Sequence, residues 1–251
     1  GTIQKNSYNV TIGGPIIGSG SITITGNSTL RLAGNNSKYT GNIYLQAGSL
    51  TFRDPVNSPD NLGSGTYFPS ASVTLGLIQG MTLSNPFDLS NSGAGSNISI
   101  ATGTATLNGI ISGAGKLLTK IGAGRIDFDG LNATQSWQLK VNQGTTFGAP
   151  FNYPPSITID AGATAFFNIF QNEIEDLSTK TLNGAGTLNK SGVGLLDLRS
   201  VPSGSFTGGY LISEGTARVL GNFTNDFSVS GSAVLEGSGS VGDLSNSGNV
   251  R

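Results

Sequence analysis

Three stretches of this chain repeat one another, and that self-similarity limits the fold more than any other feature. They are Gly18-Ser-Gly-Ser-Ile-Thr-Ile-Thr-Gly26, Gly113-Ala-Gly-Lys-Leu-Leu-Thr-Lys120-Ile-Gly122-Ala-Gly124-Arg-Ile-Asp-Phe128 and Gly184-Ala-Gly-Thr-Leu-Asn-Lys190-Ser-Gly192-Val-Gly194-Leu-Leu-Asp-Leu198. Each continues through an aromatic residue into a further Gly-led segment: Tyr39-Thr40-Gly41 then Gly48-Ser-Leu50, Trp137 then Gly144 to Phe147, and Phe206-Thr207-Gly208 then Gly215 to Val219. Their starts lie 95 and 71 residues apart. Those distances are four and three times about 23.7, which predicts a coil of roughly 24 residues, within the range of solenoid repeats.

Between the glycines the chain alternates apolar and hydroxyl residues in runs of three to five, such as Ser21 to Thr25, Thr29 to Leu32, Asn42 to Leu45 and Ser49 to Phe52. That is a two-residue period, hence strand. Only Asn172 to Ser178 suggests one or two helical turns. Stacked as a parallel β-helix, such strands would pair with their equivalents one coil away at about 4.8 Å, and about ten coils would make a rod on the order of 50 Å long. Ile22, Ile24, Leu30 and Leu32 would point inward, while Thr, Ser and Asn face water and Gly forms the corners. The composition agrees, since Gly, Ser, Thr and Asn fill 118 of the 251 positions.

The chain has no His and no Cys. A Ser-His-Asp triad, a Cys nucleophile and the common zinc, iron-sulfur and haem ligand sets are therefore excluded. Thirteen basic against fourteen acidic residues give no excess positive charge for a phosphate backbone, which argues against a nucleic-acid partner. No cofactor or metal is expected. The chain begins without Met and ends without a visible terminal element, so residues 1–251 read as a single β-helix segment cut from a longer protein.

The repeats resemble the passenger domains of bacterial autotransporters, in particular their passenger-associated repeat, G-x-G-x-L-x-K-x-G-x-G-x-L-x-L followed by Y-T-G and G-x-L. Gly113 to Phe128, with Lys120, and Gly184 to Leu198, with Lys190, carry the likeness most fully; Gly18 to Leu50 lacks the Lys but has Tyr39-Thr40-Gly41. Flanking segments at Asn61 to Gly65 and Leu83 to Phe87, and the C-terminal Gly231 to Val250, fit the same pattern. The resemblance implies a right-handed parallel β-helix, exported and displayed at the bacterial surface or secreted, with signal peptide and C-terminal membrane barrel outside this chain. It implies a rigid, non-enzymatic scaffold for adhesion or self-association. Its partners would be surface proteins or glycans of host or bacterium. Two alternatives are a polysaccharide-active β-helix enzyme and a toxin or effector passenger.

For an enzyme, the residues to consider are Asp127 and Asp129, placed on one face of a strand around Phe128, with Lys120, Lys140 or Arg125 nearby. Two solvated aspartates opposite an inward Phe are the simpler reading. For a partner contact, three segments break the coil rhythm: Arg53 to Asp60, Phe147 to Pro155, and Asn168 to Lys180. The first two are proline-rich and should leave the rod as loops. Phe151 and Tyr153 on the second would be exposed aromatic anchors, or else would fold back over a corner. Glu173, Glu175 and Asp176 form the densest charge cluster. Trp137 reads as structural.

Overall fold

The fold was taken from a computed structural model, which describes residues 1–53, 62–130, 136–200 and 202–251. Each short strand runs to a corner and stops, because glycine or a small polar residue there turns the chain by one edge of a rod. The result is an all-parallel β-solenoid of about 11 turns with about 4% helix. Four sheets run along it. The first contains six strands, from Thr2–Gln4 to Ile111–Ser112. The second contains nine, from Val10–Ile12 to Thr181–Asn183, and the third nine, from Thr82–Leu83 to Leu244–Asn246. The fourth contains five, from Ile174–Asp176 to Asn249–Val250. First and fourth sheets hold the same place in the coil order, before the second sheet and after the third, so the coil has three sides.

Alternation places the core as expected. Ile24, Leu30, Leu32, Ile126, Leu196 and Trp137 are buried, whereas Thr23 and Thr187 on the outer face are half-buried. Stacking is in strict register: in the second sheet Val10, Leu30, Leu50, Leu75 and Ile98 stand opposite one another on successive coils. The coil is shorter and less regular than 24 residues, since Leu50 to Leu75 spans 25 and Val141 to Ile159 only 18.

The repeat spacing also has a different origin. The first copy's corner, at Gly26, joins Ile22–Thr25 in the first sheet to Thr29–Leu32 in the second. In the second copy the corner at Gly122 joins Leu117–Ile121 in the second sheet to Arg125–Phe128 in the third. In the third copy the corner at Gly192 joins Thr187–Ser191 in the third sheet to Leu195–Leu198 in the fourth. Register counts four coils from Leu30 to Lys120 (30, 50, 75, 98, 120). It counts three from Phe128 to Lys190 (128, 148, 167, 190). In both cases one further strand is crossed, so the copies are four and three coils plus one side apart. The corner thus moves to the next edge of the rod with each copy.

Two expectations need correction. Asn172 to Ser178 holds the strand Ile174–Asp176, and the helical turn is a 3-10 turn at Leu177–Thr179 with Asp176 accepting from the Ser178 amide. Phe147 to Pro155 does not leave the rod. Strand Thr145–Gly148 leads into a single 3-10 turn at Pro150–Asn152, and Pro150, Asn152, Tyr153 and Pro154 are all buried. Proline at the first position of the turn supplies a fixed φ where no amide donor is required. Of the Arg53 to Asp60 segment, all but Arg53 lies outside the described residues.

Candidate functional site

Where the Pro150–Asn152 turn meets the next coil, a cleft of about 320 Å3 opens, lined by Pro150, Phe151, Ile169, Glu173, Ile174 and Glu175. Phe151 is 39% and Ile174 66% exposed. Phe170 beside them and Val193 on the following coil are also exposed. The latter is held close by hydrogen bonds of its flanking corner, Gly194 N to Ile169 O (2.9 Å) and Leu195 N to Glu173 O (3.0 Å). Three consecutive coils therefore present four large apolar side chains along one edge. Among the described residues this edge holds four of the ten large exposed apolar side chains, the others being Tyr8, Ile17, Ile110, Leu220, Leu244 and Val250, on a rod whose outer faces carry mainly Thr, Ser and Asn.

The cleft brings together three of the five expected contact residues: Phe151, Glu173 and Glu175. Glu173 accepts the Phe170 amide at 3.0 Å, which closes its own turn. Burial pushes the Glu175 carboxyl above its ordinary range, and the Lys180 ammonium opposes that rise. Asp176 is occupied as a cap, taking the Ser178 amide and hydroxyl, both at 2.8 Å.

Tyr153 is not an exposed anchor. It is fully buried, its ring tilted 4.8 Å from Phe167 and 5.6 Å from Phe128, and its hydroxyl donates to Phe166 O at 2.9 Å. Gly148 lies between Phe128 and Phe167 in the inward column of the third sheet, and its missing side chain leaves the space that the Tyr153 ring enters. Lys180 then ties the turn down, donating to the carbonyls of Pro150 (2.9 Å) and Tyr153 (3.2 Å). Sequence reasoning missed Ile174 and Lys180. The signal for Ile174 was an isolated apolar residue between two glutamates.

The residues of the enzyme alternative are differently placed. Asp129 follows the end of strand Arg125–Phe128 and is exposed, while Asp127 is held by Arg125 through Nε (2.5 Å) and Nη2 (3.0 Å). The Arg125 guanidinium also lies 4.0 Å above the Phe147 ring. Lys140 pairs with Asp160 at 3.0 Å. Among the described residues no group of three or more His, Cys, Asp or Glu is close enough to hold a metal ion.

Lys120 is fully buried. Its Nζ donates to the carbonyls of Gly122, Gly124 (2.5 Å) and Gln143 (2.8 Å). Lys190 is likewise buried and donates to Gly192 O and Ser191 O (3.0 Å). The first repeat copy has no Lys at the matching position, yet Lys5 from the preceding coil supplies one, donating to Ser28 O (2.7 Å), Ala47 O (3.0 Å) and Ser49 O (3.2 Å). Desolvation pulls the pKa of Lys120 and of Lys190 down to about 8 and lowers that of Lys5. No protein family, no curated protein and no solved structure matches the chain.

Proposed function

We propose that this chain is a rigid, non-enzymatic scaffold from a bacterial autotransporter passenger, displayed at the cell surface or secreted, which contributes to adhesion or self-association through one edge of its rod. The observation that carries the contact is the row of Phe151, Phe170, Ile174 and Val193 around the acidic cleft. Hydroxyl-rich faces exchange hydrogen bonds with water for equal ones with a partner, so they contribute little net affinity. Exposed aromatic and aliphatic groups beside a cleft release water when covered, and such groups dominate binding energy at interfaces. A continuous core with stacked coils gives the stiffness that a displayed contact edge needs.

The contact is tested by attachment of the purified chain to host epithelial cells and to bacterial cells. Phe151→Ala combined with Ile174→Ala should lower attachment about tenfold or more, with the unfolding temperature little changed. Equal attachment by the variant would place the contact elsewhere. The family part of the reading rests on the repeats and is tested by the rest of the gene. A membrane-barrel segment downstream supports it, and an upstream catalytic domain would reassign the rod to a stalk.

A further inference from the structure

The inward column of the second sheet reads Val10, Leu30, Leu50, Leu75, Ile98, Lys120, Val141, Ile159. In the third sheet it reads Leu83, Leu107, Phe128, Gly148, Phe167, Lys190, Ile212, Val229. A lysine thus interrupts each apolar column at one level. Lys5 follows the first strand of the first sheet, Thr2–Gln4, and its amide donates to Thr25 O of the next coil (2.9 Å), which sets it level with Gly26. Among the described residues none of the three forms an ion pair; carbonyls hold all three ammonium groups, and at Lys190 the Glu214 carboxylate of the coil above adds an attractive charge.

Lys5 lies under two stacked three-residue corners, 26–28 and 46–48, while Lys120 and Lys190 lead into the lower corner of their pairs, 122–124 with 142–144 and 192–194 with 213–215. Gly122, Gly124, Ser191 and Gly192 therefore accept within the lysine's own coil, whereas Ser28, Ala47, Ser49 and Gln143 accept from later coils. The upper corner ends in Gly48, Gly144 and Gly215, with φ of +70, +70 and +69°. A Cβ on those glycines would come within 2.8, 2.6 and 2.8 Å of Nζ of Lys5, Lys120 and Lys190. The same Cβ would come closer still to Ser28 O (2.3 Å), Gly124 O (2.5 Å) and Gly192 O (2.4 Å), so glycine at these corners lets the upper coil settle onto the lower corner and the ammonium together.

A solenoid of similar coils has a particular problem of specificity. Apolar columns are nearly indifferent to which coil sits on which, because a coil skipped in stacking still buries Leu on Leu and still turns Thr outward. An ammonium is not indifferent. Under a different coil Lys5 loses acceptors, Lys120 loses Gln143 O and Lys190 loses the Glu214 charge, so a buried ammonium is left less well compensated and that stacking is disfavoured. Stability alone gives a weak reason for a lysine here, since apolar replacement of buried charges is often neutral or favourable, whereas fixing register is the best attested use of a buried polar group.

We infer that Lys5, Lys120 and Lys190 are register keys, each selecting the glycine-cornered coil that stacks above it and so fixing the edge of the rod along which the corner runs. They occur at all three repeat copies, where that edge changes. The first copy obtains its key from the coil below, which shows that the position of the ammonium, rather than the sequence position of the lysine, is what the three copies share.

The absence of Cys allows a direct test by disulfide trapping. Leu117 stands opposite Gln138, and Gln138 opposite Ser156, so Leu117→Cys with Gln138→Cys reports native stacking. Leu117→Cys with Ser156→Cys are two coils apart and close only when a coil is skipped. The protein is unfolded, then refolded in a glutathione redox buffer. With Lys120 present the native pair should close and the skipped pair stay open. With Lys120→Met the skipped pair should close in a fraction about tenfold larger or more. Lys190→Met with Asn189→Cys and Ser228→Cys gives the second, independent reading in the third sheet. Skipped pairs that stay open in folded Met variants overturn the inference. So does loss of all β signal in both Met variants, because the lysines would then be required for stability as such.

Discussion

The corner into which Lys120 leads and the turn at Pro150–Asn152 are about one coil apart, and both depart from the apolar and hydroxyl alternation. They depart in opposite directions. At the first a charge is taken inside; at the second an aromatic ring, Phe151, is left outside while its neighbour Tyr153 goes in. The difference lies in what the backbone offers. Corner residues 122–124 and 143 aim three carbonyls at one point, which only a donor can satisfy, whereas the column at Gly148 lacks a side chain and accepts a ring. Local residue class is therefore a poor guide to side at a corner, and the unmet need of the neighbouring coil is a better one.

The largest effect is expected where polarity enters a column that offers no acceptors. Leu196 is fully buried, and Leu196→Asp should lose on the order of 4–5 kcal/mol or more, because its charge would be buried without a partner. Thr187→Lys on the outer face should stay within about 0.5 kcal/mol. Chemical denaturation of the two variants makes the comparison, and a Leu196→Asp loss as small as that of Thr187→Lys would mean that inward charge is tolerated generally and that the lysine corners are not special. Next in size, Tyr153→Ala should lose about 3–5 kcal/mol by emptying a packed site. Tyr153→Phe should lose roughly 1–2 kcal/mol, since it removes the hydroxyl's bonds to Phe166 O and Thr146 Oγ1 and leaves the ring in place. A Tyr153→Ala loss near zero would return that ring to the surface.

A smaller effect, and one that separates the two corners, is the dependence on pH. Below pH 8 Lys120 and Lys190 are protonated both folded and unfolded, and contribute no slope. Between about 8 and their unfolded value near 10.5 the folded chain has released protons that the unfolded chain still holds. Stability should therefore rise with pH through that window, by up to about 1.4 kcal/mol per pH unit for each lysine. Toward pH 10 the buried tyrosines Tyr67, Tyr153 and Tyr210, whose pKa burial raises, begin to act in the other direction. Their unfolded counterparts ionise first, so stability falls again. Denaturation midpoints at pH 7.5, 8.5 and 9.5 should show the rise in the native chain and less of it in Lys120→Met. A flat profile in both would show that the carbonyls hold the ammonium against desolvation in full.

The fold was readable from sequence because alternation and glycine spacing are local properties, and the inward faces of Ile126 and Leu196 follow from a period of two. Coil length was not. Corners of three residues and connections of several look alike in a chain so rich in Gly, Ser and Asn, and the sideways step between repeat copies mimics a longer coil. Lys5 was invisible for a related reason, since its role depends on which coil lies above it. At the cleft the acidic residues and Phe151 were identifiable by composition, but Tyr153 was not separable from Phe151 without knowing that Gly148 leaves a space in the third-sheet column.

The smallest structural effect is expected at the outward member of that pair. Phe151 and Ile174 lie outside the buried core, at 39% and 66% exposure, so Phe151→Ala with Ile174→Ala should change stability by no more than about 1 kcal/mol. Thermal unfolding checks this, and a loss approaching that of Tyr153→Ala would mean that Phe151 is packing and that the two sides of the turn do not differ. The carboxylates sharpen the same comparison. Glu175 stands half-buried beside the apolar rim, with Lys180 committed to the turn carbonyls. If the rim alone holds a partner, Glu175→Gln should leave attachment and its salt dependence unchanged. If the acid contributes through charge, attachment by the native chain should weaken as ionic strength rises from about 0.05 to 0.5 M, and Glu175→Gln should remove part of that dependence. An edge whose attachment survives both the apolar double variant and Glu175→Gln makes no contact, and the outward placement of Phe151 would then be only what is left when Tyr153 takes the inner site.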